Sequence, residues 1–309
     1  MKTSFFLLSH FALLCLPTMA QSNPFVGRWD ITVTTATDSY PQWMEVKQDG
    51  DFAIRVQPRG GAVRPAVNAK MESDRILVTL VPKVGDRPDI VWELTPTQGG
   101  KSFNGVQRTG GTVNAQLAGV RAPKLDRPIP KSWTRPEKLI NGKDLTGWEP
   151  IASRRASRWI AKDGELVNTE SGANLKTTRK FDDFKLHIEF NCPDHGNSGL
   201  YLRGRYEIQI GTEGGKLPNH EMGAIYGYQA PAKEVAPRPG EWQTYDVTLI
   251  GRHVTVIHNG VTIHDNQELE GITGGALDSA EEEPGPFFLQ GDHQGLLRFR
   301  NMTISVPKR

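Results

Sequence analysis

Cysteine is nearly absent from this chain. Among 309 residues there are two, Cys15 and Cys192. Cys15 falls in a leader-like stretch, so its removal leaves Cys192 alone and excludes an internal disulfide. Cys192 then reads as a small buried hydrophobe. Long helical periodicity is also missing, which argues against a helical bundle or coiled coil. Beyond residues 1–20 no apolar run is long enough to cross a bilayer as a helix, so no transmembrane segment is expected. Charge of one sign is not in excess: 37 Lys and Arg stand against 35 Asp and Glu. That balance gives no basis for nucleic acid or an anionic membrane as a partner. Metal-ligand spacings of the HxxxH or CxxC kind do not occur.

What the chain does have is 32 Gly, 21 Pro and many short alternating apolar runs between turns. That is the pattern of an all-β protein. The first residues read as an export signal. Lys2 supplies a positive start, residues 5–16 are mostly apolar, and Thr18-Met19-Ala20 places small residues at the cleavage site. The expectation is a signal peptide over residues 1–20 and a mature protein that is periplasmic or secreted.

Residues 24–121 read as one unit. GRWDITV opens a strand, WMEV begins another, and Asp49-Gly50 signals a hairpin before FAIRV; RILVTL and IVWEL continue the series. Its G-x-W start resembles lipocalin-like domains, which implies a small β-barrel or curled sheet, with its interior filled by side chains. Residues 122–137 carry Pro123, Pro128, Pro130 and Pro136 among Lys and Arg, the composition of a semi-rigid linker. Residues 138–309 form the second unit, with many short strands, a tight hairpin at Asn259-Gly260, and Glu281-Glu282-Glu283 in what reads as an exposed acidic loop. Such a series suits a two-sheet sandwich.

The most informative stretch is residues 191–210, NCPDHGNSGLYLRGRYEIQI. Strand side chains alternate with period two. Leu200 and Leu202 therefore share one face, with Tyr201 and Arg203 opposite. Tyr206, Ile208 and Ile210 share a face, with Glu207 and Gln209 opposite. One side can join a core, and the other gathers groups that grip a polar ligand. In residues 184–190 the apolar positions likewise share a face, leaving Lys185, His187 and Glu189 on the other.

The segments GNSGLYLR, YEIQI, MGAIYGYQAP, PGEWQTYDVTLIG, HNGVTI and FFLQGDHQGLLRFRNMTI, in this order, resemble the 3-keto-disaccharide hydrolase family. LINGKDLTGWEP, GELVN and LKTTRKFDDFKLHIEF extend the match, which runs from about Lys138 to Val306. The resemblance implies that residues 138–309 form a concanavalin-like jelly roll acting on a small carbohydrate, a glycoside oxidised at C3; the smaller β unit of residues 24–121 precedes it.

A keto group at C3 acidifies the hydrogen on C2. A base can remove it, the C1 substituent can leave by elimination, and water can add to the enone. The base needs a pKa near the working pH, which favours His or a tuned Glu. His195, Glu207 and His293 are the catalytic candidates. Glu189, Asn197, Arg203, Gln209, Tyr226 and Gln290 are the candidates for holding the sugar. By residue type, His195, Glu207 and His293 also suit a divalent metal, although no cofactor is required by the sequence. Two alternatives stay open: a non-catalytic carbohydrate-binding module, and an ordinary glycosidase using Glu189 and Glu207 as its two carboxyls.

Overall fold

The structure, a computed structural model, describes residues 23–308 except 98, 213, 215 and 216. The leader expected over residues 1–20, with Cys15, lies outside the described residues. The described chain is all-β; its one helical segment is the 3-10 turn Pro218–His220. No helix among the described residues is long and apolar enough to cross a membrane.

Residues 27–121 build a nine-stranded antiparallel sheet that curls on itself. Its two ends meet where Ala66 N–H donates to Ile54 O and Val67 N–H to Thr79 O, both at 2.8 Å. Alternation fills the interior with Trp29, Ile31, Val33, Met44, Val46, Trp92, Leu94 and Phe103. The Trp29 indole N–H donates to Phe25 O at 2.7 Å, so this large side chain is buried with its polar atom satisfied. The barrel is a packed core rather than a cup for a ligand. The strand Ser39–Asp49 is buried on both faces over residues 42–46. Met44 and Val46 enter the barrel, while Trp43 belongs to a separate small cluster with Ile272 and Ala276.

Residues 137–305 form the expected sandwich. An eight-stranded sheet, centred on Phe184–Asn191 between Trp242–Ile250 and Leu297–Ser305, faces a five-stranded sheet. The smaller sheet runs Trp148–Pro150, Leu175–Thr177, Phe288–Leu289, Asn197–Leu202, Tyr206–Gly211 in space. Phe184, Leu186, Ile188 and Phe190 meet Leu200, Leu202, Tyr206, Ile208 and Ile210 in one core, which also buries Cys192. Asn259 and Gly260 both take positive φ, 48° and 79°, as a two-residue hairpin with matched twist demands.

Two sequence expectations fail here. Residues 122–137 do not hang as a spacer: Arg252 donates to Pro123 O at 2.7 Å, Arg127 donates to Asp183 at 2.9 Å, and Trp133 bridges Pro307. Proline fixes an extended path, but buried donors on the sandwich then take up its carbonyls. Nor is the acidic loop wholly exposed. Glu281 is 1% exposed, accepting from Tyr206 Oη at 2.6 Å and from Arg252 Nη2 at 2.8 Å. A carboxylate can be buried when such donors meet it.

Candidate active site

The site is built on the outer face of the five-stranded sheet. Register sets a row across it: Lys176 opposite Phe288, Phe288 opposite Tyr201, Tyr201 opposite Glu207. The Tyr201 and Phe288 rings stack with centroids 3.6 Å apart. Tyr201 Oη donates to Glu207 Oε2 at 2.6 Å and itself accepts from Gly275 N–H at 2.8 Å. The Glu207 N–H donates to Thr273 Oγ1 at 2.7 Å. Two glycines make room for the carboxyl. A Cβ on Gly199 would lie 2.2 Å from Oε1, and one on Gly274, where φ is +53°, 2.0 Å from Oε2.

Glu207 is 2% exposed. Burial pushes its carboxyl up to about 8; the Tyr201 hydrogen bond pulls it down, and the charge of Asp292 pushes it up. Burial, then the charge of Glu207, raises the Tyr201 hydroxyl well above its ordinary value, so Tyr201 stays a donor. A carboxyl titrating near neutrality beside a fixed hydroxyl can give or take a proton at working pH.

Gln209 lies on the same strand face, its Nε2 donating to Asn197 Oδ1 at 3.2 Å. Gln209 Oε1 and Asp292 Oδ1 are buried acceptors without a hydrogen-bond partner among the described residues. Orphaned acceptors are costly, and the hydroxyls of a sugar would satisfy them. Gln290 is held beside Gly199 by its N–H to Gly199 O at 3.0 Å and its O to Ser198 Oγ at 2.8 Å. Tyr226 N–H donates to Glu207 O at 3.0 Å, and its ring stacks on His220. Glu207, Asn197, Gln209, Tyr226 and Gln290 thus share one sheet and its edge.

Arg203 and Glu189 do not join them. Arg203 leaves the strand alternation at a turn, with φ of 50°, and is 1% exposed. It donates to Gly251 O at 2.6 Å and to Asp182 at 3.2 Å, tying the sandwich end rather than lining the face. Glu189 lies on the outer face of the other sheet, accepting from Arg300 at 2.6 Å and Asn301 at 2.7 Å. Burial alone would raise its carboxyl, but those two hydrogen bonds outweigh it and hold it below the ordinary value. Stacked sheets sit about 10 Å apart with side chains between them, so Glu189 and Glu207 cannot flank one glycosidic bond.

His195 is 82% exposed, in a left-handed turn, with Asp194 Oδ2 3.6 Å from its Nε2. It precedes Asn197, which is about 13 Å of strand from Tyr201. His293 is also exposed, 3.7 Å from Asp292 Oδ1. Among the described residues no three His, Cys, Asp or Glu side chains gather as a metal-binding group. His195, Glu207 and His293 are therefore not gathered as a ligand set.

Sequence reading missed Tyr201 and Asp292 as site residues. Tyr201 shares the face of Glu207 by alternation, a signal that was available. Asp292 was hidden behind its neighbour His293. Its backbone O is pinned by Arg155 Nη1 at 2.7 Å and Ser171 Oγ at 2.8 Å, and this anchoring from distant segments brings its charge to bear on Glu207.

Fold and site together define a two-sheet β sandwich with a polar, acid-bearing face. The chain belongs to the family described as the 3-keto-alpha-glucoside-1,2-lyase-like domain, which matches residues 135–305. Among solved structures, a Parabacteroides distasonis protein provisionally named a glycosyl hydrolase is 28% identical, with a TM-score of 0.47, over 59% of this chain and 93% of its own. Another so named from the same organism is 25% identical, with a TM-score of 0.43, over 55% and 98%. A carbohydrate-binding module from Bacillus subtilis is 14% identical, with a TM-score of 0.31, over 52% and 97%. No curated protein matches the chain.

Proposed function

We propose that the sandwich cleaves glycosides carrying a keto group at C3, by elimination across C1 and C2 followed by hydration, in an exported protein. The observation that carries this is Glu207, a buried carboxyl held by Tyr201 and titrating at about 8. Such a group suits removal of a carbon-bound proton better than the two-carboxylate route, since Glu189 is on the opposite sheet.

In the first step the Glu207 carboxylate takes the C2 proton. The C2–H electron pair becomes the C2=C3 bond of an enolate, and the C3 carbonyl oxygen takes the negative charge. In the second step the charge returns to the C3 carbonyl, a C1=C2 bond forms, and the C1–O bond breaks. The leaving alkoxide takes the proton back from Glu207. Water then adds across the enone, OH at C1 and H at C2, giving the free 3-keto sugar. Tyr201 donates to the carboxylate in its charged form and holds it in place. Gln209 Oε1 and Asp292 Oδ1 accept sugar hydroxyls.

The test is incubation of the full chain in D2O with a 3-keto-disaccharide and with its unoxidised parent. Cleavage of the keto sugar with deuterium entering C2, an inert parent, and at least ~100-fold loss in Glu207→Gln are expected. Cleavage of the plain glycoside at a similar rate without deuterium at C2 would overturn the proposal. Binding of sugar without turnover of either would favour a binding module.

A further inference from the structure

The barrel lies outside the residues matched by the family, 135–305. Yet it reaches the site, chiefly through the loop of residues 271–276. On the barrel side, the Trp43 indole N–H donates to Ile272 O at 2.9 Å and Gly60 N–H donates to Gly274 O at 3.2 Å. Gly271 lies against the Trp43 ring so closely that a Cβ there would fall 2.6 Å from it. On the site side, the same loop gives Thr273 Oγ1 to Glu207 N–H, Gly274 over Glu207 Oε2, and Gly275 N–H to Tyr201 Oη. Contacts to the barrel fall at residues 271, 272 and 274, and contacts to the pair at 273, 274 and 275.

The barrel segment is itself held. Gln57 is 1% exposed and its Nε2 donates to Pro58 O at 2.9 Å and also to Gly61 O, closing the turn that carries Gly60. Val63 N–H donates to Gly227 O at 2.8 Å, next to Tyr226, whose N–H bonds Glu207 O. Arg55 pairs with Glu270, just before the loop. Both segments that flank Glu207 outside its own sheet are therefore tied to the barrel. On the sandwich side the loop is also anchored by Thr273 N–H to Arg205 O at 2.9 Å, so the barrel contacts act from the face opposite the pair.

We propose that the barrel is the positioning element of the Tyr201–Glu207 pair, with Trp43 and the turn carrying Gly60 fixing the loop that covers the carboxyl and orients the hydroxyl. This rests on reading Glu207 as the proton-moving group, but it is testable without any substrate. A loosened loop admits water to the carboxyl, and water removes the cause that raises its pKa. The titratable groups acting on Glu207 are Tyr201 from the adjacent strand, through its hydrogen bond, and Asp292 from the segment after Phe288–Leu289, through its charge.

The experiment is difference infrared titration of the Glu207 carboxyl in the full chain, with Glu207→Gln as the blank. Trp43→Phe keeps an aromatic ring, smaller than the indole, and loses the N–H donor; Gly271→Ala pushes from the opposite side of the same contact. Thermal unfolding identifies which variants remain folded. In both, the Glu207 midpoint is expected to fall by about one unit or more, while Val84→Ala, far out on the barrel surface, leaves it in place. A midpoint unchanged in a folded Trp43→Phe or Gly271→Ala protein would overturn the positioning role and leave the proposed chemistry standing. A parent midpoint in the ordinary carboxylate range would overturn both.

Discussion

Tyr201 donates its hydroxyl to Glu207 Oε2 at 2.6 Å from the directly opposed position on the neighbouring strand. Cross-strand pairing alone brings the two within reach, because opposed residues stand about 5 Å apart. The covering loop then removes water from both, and burial sets their protonation.

Tyr201→Phe keeps the stack on Phe288 and deletes the hydroxyl. That bond lowers the Glu207 pKa, so its loss should move the midpoint above the present value of about 8. The acid limb of kcat/KM on a 3-keto-glycoside should shift up with it, and turnover at neutral pH should drop roughly tenfold or more as the carboxylate becomes scarcer. A pH–rate profile identical to the parent's would rule out this coupling.

Asp30 of the barrel sits against Glu281 of the sandwich. Burial, then the charge and hydrogen bond of Glu281, push its carboxyl to about 9, against the pull of Arg252 and Arg205. A pKa raised on folding means that stability is fully present below the unfolded value, near 4, and is lost as pH rises toward 9. Asp30→Asn should remove that slope and be more stable than the parent at pH 8, by on the order of 1–3 kcal/mol. Denaturant unfolding at pH 5 and pH 8 measures it, and equal pH dependence in both proteins would contradict it.

His258 is buried on the eight-stranded sheet with Nε2 at 3.1 Å from Gln243 Oε1. Burial, then the charge of Arg238, lowers its pKa to about 4. A depressed value means that its contribution is present above the unfolded pKa, near 6.5, and is lost as pH falls through 4. His258→Gln should lessen the fall in melting temperature between pH 7 and pH 4. NMR titration of the imidazole provides the direct check, and a midpoint near 6.5 would refute the assignment.

Residues 122–136 pack on the sandwich, so a fragment starting at residue 122 should fold and one starting at 138 should be weaker. Loss of the Pro123 acceptor leaves Arg252 short of a partner in a buried position. The shorter fragment should melt several degrees lower, as a loss of ~1–3 kcal/mol implies. Equal melting temperatures would show that this segment is the spacer its composition suggested.

Much of the architecture was legible in the sequence. Period-two patterns in residues 184–190 and 200–210 assigned the core faces correctly, because one face of each strand had to leave water. The same pattern put Glu207 and Gln209 on a common polar face. It went wrong at Arg203, where the chain leaves strand geometry for a left-handed turn and alternation no longer applies. It also could not tell that Glu189 and Glu207, each polar-facing, belong to opposite sheets.

Local alternation and turn residues therefore determined by themselves which elements form and which side of each is apolar. Only the tertiary structure decided which polar group is the tuned one. His195 looked chemically apt but stands in water, while Glu207 is covered by a loop some seventy residues away that Trp43 of the barrel holds. A pKa depends on desolvation and on neighbours in space, and neither is written in the order of residues along a strand.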